Sequence, residues 1–384
     1  MQQPKELKTF GTLRGRGTAS NPVNRFELVE LELDGDWVDD EVKEAAGEGE
    51  SWSPAGRTRY FRDHTRGIIA SNQSPDVGFE RSINPYRGCE HGCVYCFARP
   101  THEFLGLSAG LDFESRIFVK LDAPELLRRE LSSPKWKPQF IAISGVTDCY
   151  QPIERKLRIT RGCLEVLAEA RNPVGIITKN HLVTRDADLL GEMAAHRAAK
   201  VYVSVTTLDR ELQRTMEPRT STPERRLEAI RVLTDAGVDV GVMVAPVIPG
   251  LTDHEMPSIL AAAADAGAVS AGMVPLRLPH GVKDLFADWL QRVYPDRASR
   301  VLNRVRELRG GDLYDSTWHR RMTGEGVYAE HLRTLFDAAC RRHGFGTERD
   351  RYELSTASFR RPAPPPASAS RGGSAAQLGL FDQT

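Results

Sequence analysis

The chain has 384 residues, enough for one large domain with appendages or for two domains. Its composition is that of a globular protein, 40% hydrophobic and 27% charged, and 52 Lys and Arg balance 52 Asp and Glu. Zero net charge offers no global argument for nucleic acid, so any such binding has to rest on local patches.

No apolar run approaches the roughly 18 to 20 residues that span a bilayer. The start of the chain, MQQPKELKTFGTLRGRG, lacks the apolar stretch of a signal peptide. Six sparse cysteines and no export signal point to metal or redox chemistry in a reducing cytoplasm rather than to a disulfide scaffold.

In chain order, residues 1–75 read as a weakly ordered extension. From Glu27 to Glu50 there are eleven carboxylates against one lysine, Lys43, which predicts a solvated, partly disordered acidic segment or linker. From Ser82 onward short β-branched runs alternate with helical stretches. The candidate strands are SINPY (82–86), FIAIS (140–144), VGIIT (174–178), VYVSV (201–205), DVGVMVA (239–245) and VSAGMV (269–274). Helical patterns lie between them at 123–131, 161–170 and 223–237. The last has Thr222 as N-cap, Pro223 in its first turn and Gly237 as its stop. Strands that are apolar throughout, each followed by a helix, imply a parallel sheet covered on its outer face. About six such units predict a partial (βα)6 TIM-like barrel, with its chemistry in the loops after the strands.

Residues 286–361 read as a helical, basic C-terminal region. Seven arginines and three carboxylates fall between Arg297 and Arg321, with Tyr314 and Trp318 among them. Arg297, Arg300 and Arg304 share one helical face, while Val301, Val305 and Leu308 face a core. Such arginines can hold a phosphate backbone, or form a solvated helix face with no ligand. A linker composition over 362–376 precedes the terminal residues 377–384, QLGLFDQT.

The cysteine distribution is uneven. Cys89, Cys93 and Cys96 lie in CEHGCVYC, just after the first predicted strand, while Cys149, Cys163 and Cys340 are scattered. Three thiolates at this spacing can hold a 4Fe–4S cluster and leave one iron open. A structural zinc site completed by His91 or His102, or three inert thiols, are the alternatives. Cys163, in an apolar helix, and Cys340 read as core.

The motif C-x3-C-x2-C with aromatic Tyr95 before its last cysteine resembles the signature of the radical S-adenosylmethionine (SAM) superfamily. The stretch SINPYRGCEHGCVYCFARP, together with TDCYQPIE, ITK, VSVTTLD, EPRTSTPERRLEAI and PVIPGLTD, resembles the spore photoproduct lyase-like branch, from Asp76 to at least Leu285. The resemblance implies a radical SAM core over 76–285 that binds a 4Fe–4S cluster and SAM. It further implies reductive cleavage of SAM to a 5′-deoxyadenosyl radical, with an electron donor such as flavodoxin or ferredoxin. It places Tyr95 near the adenine and Thr147 and Asp148 at the SAM amine or ribose. Lys179 falls on the SAM carboxylate and Ser204 on a ribose hydroxyl. Plain strand-end roles are the alternative for Thr147, Lys179 and Ser204. Where that branch has a hydrogen-donating cysteine, this chain has Gly145, so Cys149 is the substitute donor or else a buried inert thiol.

The tail residues QLGLF resemble the pentapeptide that binds the bacterial sliding clamp, with Gln377 at a pocket rim and Leu378, Leu380 and Phe381 as apolar contacts. Three functions follow as expectations. One is a clamp-recruited enzyme of DNA repair or modification. The others are a radical enzyme acting on RNA, protein or a small molecule, and a metal-stabilised interaction module.

Overall fold

The computed structural model describes residues 15–26, 58–345 and 354–365. Ten strands form two sheets. They are β1 (Arg59–Arg62), β2 (Ile69–Ser71), β3 (Arg81–Ile83), β4 (Tyr86–Arg87), β5 (Arg116–Val119), β6 (Ile141–Ile143), β7 (Val174–Thr178), β8 (Ala199–Ser204), β9 (Asp239–Val247) and β10 (Ser270–Pro275). The larger sheet has the order β10-β9-β8-β7-β6-β3-β2, parallel throughout except for the antiparallel edge pair β2/β3. Its six parallel strands are the six expected from the sequence. The smaller sheet has the order β1-β5-β4.

The fold is therefore mixed α/β. Register puts Ile176 beside Val201 and Val203 beside Val242, and all four are fully buried with Val174 and Val240. Helices α1 (Ala123–Ser132), α2 (Ile159–Ala170), α3 (Ala187–Ala194), α4 (Arg210–Met216), α5 (Pro223–Asp235) and α6 (Met256–Asp265) follow their strands. Of these, α3 packs on β8, α5 on β8 and β9, and α6 on β9. At α5, Pro223 stands in the first turn and Gly237 takes φ +82° as the stop. Thr222 occupies the N-cap position without a side-chain capping bond.

The first predicted strand is divided. β3 stops at Ile83, and Tyr86 restarts as β4 in the other sheet. Pro85 has no N–H to continue a ladder, while the Asn84 side chain accepts from Val146 N–H at 2.9 Å. The chain thus changes sheets just before the cysteine loop.

The expectation of a weakly ordered extension over 1–75 needs correction at two places. Residues 58–75 carry β1 and β2, and residues 15–26 run against the cysteine loop with Arg16, Thr18, Ser20 and Asn24 buried. The fit is through backbone: a Cβ at Gly17 would come 1.7 Å from the Gly92 carbonyl oxygen. A segment that packs through glycine carries no hydrophobic signature in its sequence. The acidic stretch from Glu27 to Glu50 lies outside the described residues.

The C-terminal region forms α7 (Val282–Val293), α8 (Pro295–Leu308) and α9 (Gly326–Arg342), with Val301, Val305 and Leu308 buried as expected. Its arginines do not make one patch. Arg304 pairs with Glu307 at 2.8 Å, Arg320 with Asp315 at 3.1 Å and Arg321 with Asp76, and Arg309 is buried. Residues 354–361 return to the core, where Arg360 N–H donates to the Ala170 carbonyl at 2.8 Å. Among the described residues no helix is long and apolar enough to cross a membrane.

Candidate active site

One cavity of about 610 Å³ lies at the C-terminal ends of the parallel strands. Its lining draws on Ser82 of β3, Thr178 of β7, Ser204 of β8, Met243 of β9 and Val274 of β10, with the loops after β3 and β6. Cys89, Cys93 and Cys96, all free thiols, open onto it together with Tyr95, Thr147, Asp148 and Lys179. Eight of the nine core residues singled out from the sequence thus line one cavity; Cys149 does not.

The cysteine loop is held by buried polar contacts. Arg99 donates through Nε to the Cys93 carbonyl at 2.9 Å and pairs with Glu114 at 2.6 Å, both side chains being fully buried. Glu114 also accepts from Gly17 N–H at 3.0 Å and Thr18 N–H at 3.1 Å, which ties the N-terminal segment to the loop. Cys89 N–H donates to the Phe113 carbonyl at 2.9 Å.

Burial pushes all three thiols up, and at Cys89 the Asp148 carboxylate adds to the effect. The Arg99 charge opposes the rise at Cys96, and the Lys179 charge opposes it at Cys93 and Cys96. Such thiols ionise readily only when a metal centre takes their charge. Among the described residues no three His, Cys, Asp or Glu side chains gather closely enough for a single metal ion. The three thiols line one cavity, a donor set of the kind an iron–sulfur cluster takes.

Neither histidine is offered to the cavity as a zinc ligand: His91 has both ring nitrogens engaged, and His102, whose Nδ1 is unpartnered, does not line it. His91 is held by Asp148 (Nδ1 to Oδ2, 3.4 Å) and Asn180 (Nε2 to Nδ2, 3.0 Å). His102 turns away, with Nε2 at 2.9 Å from the Arg116 carbonyl and its ring against Phe113 and Phe118.

Asp148 accepts from Thr178 Oγ1 (2.8 Å), Lys179 N–H (2.8 Å) and Tyr150 N–H (2.9 Å), so it binds the end of β7 to the loop after β6. Burial opposes its charge, but His91 and these donors outweigh burial and hold its pKa below the ordinary value. Lys179 donates to Thr206 Oγ1 at 3.1 Å and the Ala245 carbonyl at 2.9 Å, and lies 3.4 Å from Glu217. Burial first, and Arg226 second, lower its pKa to about 8, while the thiols and Asp148 work the other way.

Tyr95 donates its hydroxyl to Glu217, which also takes Arg226 and Thr206. Thr147 donates to the Tyr86 carbonyl at 2.8 Å, and Ser204 gives its carbonyl to Arg226 at 3.1 Å.

Cys149 is a correction. It lies fully buried in the core beneath the cavity, its N–H donating to Ser144 Oγ at 2.8 Å, and does not line the site. Asp148 lines the cavity, while its neighbour Cys149 turns into the core. Gly145 does line the cavity. Cys163 is fully buried and Cys340 packs partly buried against the core, as expected. Gln377, Leu378, Leu380 and Phe381 lie outside the described residues.

Sequence reading missed Glu217, Arg226 and Thr206, the partners beneath the named residues, and weighed His91 only as a zinc ligand. It also missed Arg277, Arg321 and Met322 on the cavity wall. EPRTSTPERR and VTTLD were singled out as stretches, but nothing local in either marks which side chain turns inward.

Residues 83–263 match the family model described as Radical SAM superfamily. An uncharacterized protein of Mycobacterium tuberculosis is 38% identical over 263 residues, covering 67% of this chain and 76% of that protein. An uncharacterized protein of Methanocaldococcus jannaschii is 30% identical over 184 residues, 48% of this chain and 66% of that one. Among solved structures, spore photoproduct lyase complexed with dinucleoside spore photoproduct is similar in fold. It superposes with a TM-score of 0.51 at 16% identity, over 74% of this chain and 80% of that chain. A variant of that lyase with bound AdoMet and the same ligand superposes equally, with a TM-score of 0.51 at 17% identity. With a thiol-lined cavity at the strand ends, a matching family model and a relative at 38% identity, the chain belongs to the radical SAM superfamily.

Proposed function

We propose that the protein is an enzyme, lyase-like, that holds a 4Fe–4S cluster on Cys89, Cys93 and Cys96 and binds SAM beside it. The observation that carries this reading is the convergence of three thiols, Cys89 and Cys93 buried and Cys96 half-buried, with Asp148, Lys179 and Ser204 on one cavity. The bound cluster and SAM supply reductive cleavage of SAM to a 5′-deoxyadenosyl radical. The chain's own residues supply position and charge. Lys179 and Asp148 take the SAM carboxylate and amine, Thr147 and Ser204 serve its ribose, and Tyr95 forms the floor over Glu217. That strand ends from β3 to β10 line a single cavity supports reading the sheet as curved into a partial barrel.

The substrate is DNA, for lesion repair or another modification. The motif resemblance to the lyase-like branch and the fold likeness support this. The division into core, helical region, linker and tail, a cytoplasmic site of action, a small electron-transfer donor and sliding-clamp recruitment through Gln377–Phe381 belong to the same proposal.

Anaerobic reconstitution tests it. The parent chain should carry iron and acid-labile sulfide and release 5′-deoxyadenosine from SAM. Alanine at any of Cys89, Cys93 or Cys96 should abolish that release, and a variant that matches the parental rate would overturn the ligand assignment.

A further inference from the structure

Three guanidiniums meet where the C-terminal region closes over the sheet: Arg277, just past β10, with Arg309 and Arg321. Arg321 is paired with Asp76 and donates to Ser74 Oγ at 2.8 Å. Arg309 does not line the cavity. Its terminal nitrogens hold the carbonyls of Pro275, Leu276, Arg320 and Arg321, although its Nε is unpartnered.

Arg277 differs from both. It lines the cavity, and its Nη1 lies 2.9 Å from the sulfur of Met322, a weak acceptor. Its Nε is buried with no hydrogen-bond partner, and among the described residues no carboxylate comes within 4.0 Å of it. Its guanidinium stands 5.1 Å from the Phe97 ring centroid, the stacked arrangement that leaves the fork edge available. Burial lowers its pKa and Arg321 adds to the fall, while Tyr314 and the more distant Asp76 oppose it. A partly buried guanidinium with no carboxylate in direct contact keeps donors free for an arriving oxyanion. Around it the cavity presents uncovered apolar surface at Phe97, Val146 and Ile177, a surface on which a base can rest.

We propose that Arg277 is a specificity-determining residue that binds a phosphodiester oxygen of a nucleic-acid strand, with the adjoining base held on the apolar wall. The proposal rests on the nucleic-acid reading above. The other oxyanion available to this cavity is the carboxylate of SAM, and the test separates the two.

Binding of thymidylyl-thymidine, of its uncharged methylphosphonate counterpart and of SAM is measured by calorimetry on reconstituted parent, Arg277→Gln and Arg277→Lys proteins. The parent should prefer the phosphodiester to the methylphosphonate. Arg277→Gln should lose about tenfold or more in affinity for the phosphodiester and bind both dinucleotides alike. Arg277→Lys, which keeps the charge without the fork, should recover part of the loss and controls for folding. The proposal is overturned if the parent does not distinguish the two dinucleotides or does not bind them. It is equally overturned if Arg277→Gln holds the phosphodiester like the parent, or loses SAM instead. A parent that binds no SAM strikes the radical SAM reading itself, while the dinucleotide comparison still decides Arg277.

Discussion

Lys179 meets the cavity with its ammonium already seated between Thr206, Ala245 and Glu217, so a SAM carboxylate would join a prepared charge rather than capture a mobile side chain. Replacing it with alanine should weaken SAM binding by roughly ten- to a hundredfold, the range expected for a contact of about 1.5 to 3 kcal/mol. Cluster content should stay at the parental level, and SAM affinity equal to the parent's would return Lys179 to a purely structural role. His102 makes a different residue-scale prediction. Burial lowers its pKa to about 4, against about 6.5 in an unfolded chain. Between those values the unfolded chain binds more protons, so stability falls as pH drops from about 6.5 towards 4, on the order of 3 kcal/mol in all. The variant His102→Gln can still donate to the Arg116 carbonyl but does not titrate. Urea midpoints at pH 7 and pH 4.5 should therefore differ less for the variant than for the parent.

At the scale of elements, the cysteine loop depends on the contact between Arg99 and Glu114 more than on its own turns. Glu114 answers Arg99 on one side and the backbone of residues 17 and 18 on the other, with no exposure to water. Removing one partner of a fully buried pair leaves the other uncompensated, typically at about 3 to 5 kcal/mol. Glu114→Ala should lower the denaturation midpoint and release the N-terminal segment, giving new protease cleavage between residues 15 and 26. Intact resistance in that span would show that backbone packing of Gly17 on Gly92 suffices. The same paired elements explain why SINPY divides into β3 and β4. A proline between two strand residues moves the chain from one sheet to the other and aims the loop at the cavity.

For the whole molecule, the described residues end at 365, and QLGLF follows a stretch rich in proline, serine and glycine. On the proposed clamp reading, a linker of that composition would let the short motif reach its partner. Clamp affinity should be modest, on the order of micromolar, because a short peptide covers little surface. Alanine at both Leu380 and Phe381 should remove it without changing cluster content, and a peptide of residues 372–384 should compete. Equal binding by the parent and the double variant would end the clamp reading.

The sequence by itself determined the alternation of strands and helices, the three cysteines and the strand-end residues Asp148, Lys179 and Ser204. Periodicity and motif spacing are local properties, readable wherever neighbours in the chain act together. Only the tertiary structure decided what stands beneath and beside them. Glu217 reaches Tyr95 across 122 positions of chain, Gly17 fits against Gly92 without any side chain, and the Arg277 Nε stands buried without an acceptor on the assembled wall. It likewise put Cys149 in the core while Asp148 took the cavity side. Those outcomes depend on contacts between distant segments and on the water they exclude, and neither is written in any short window of the chain.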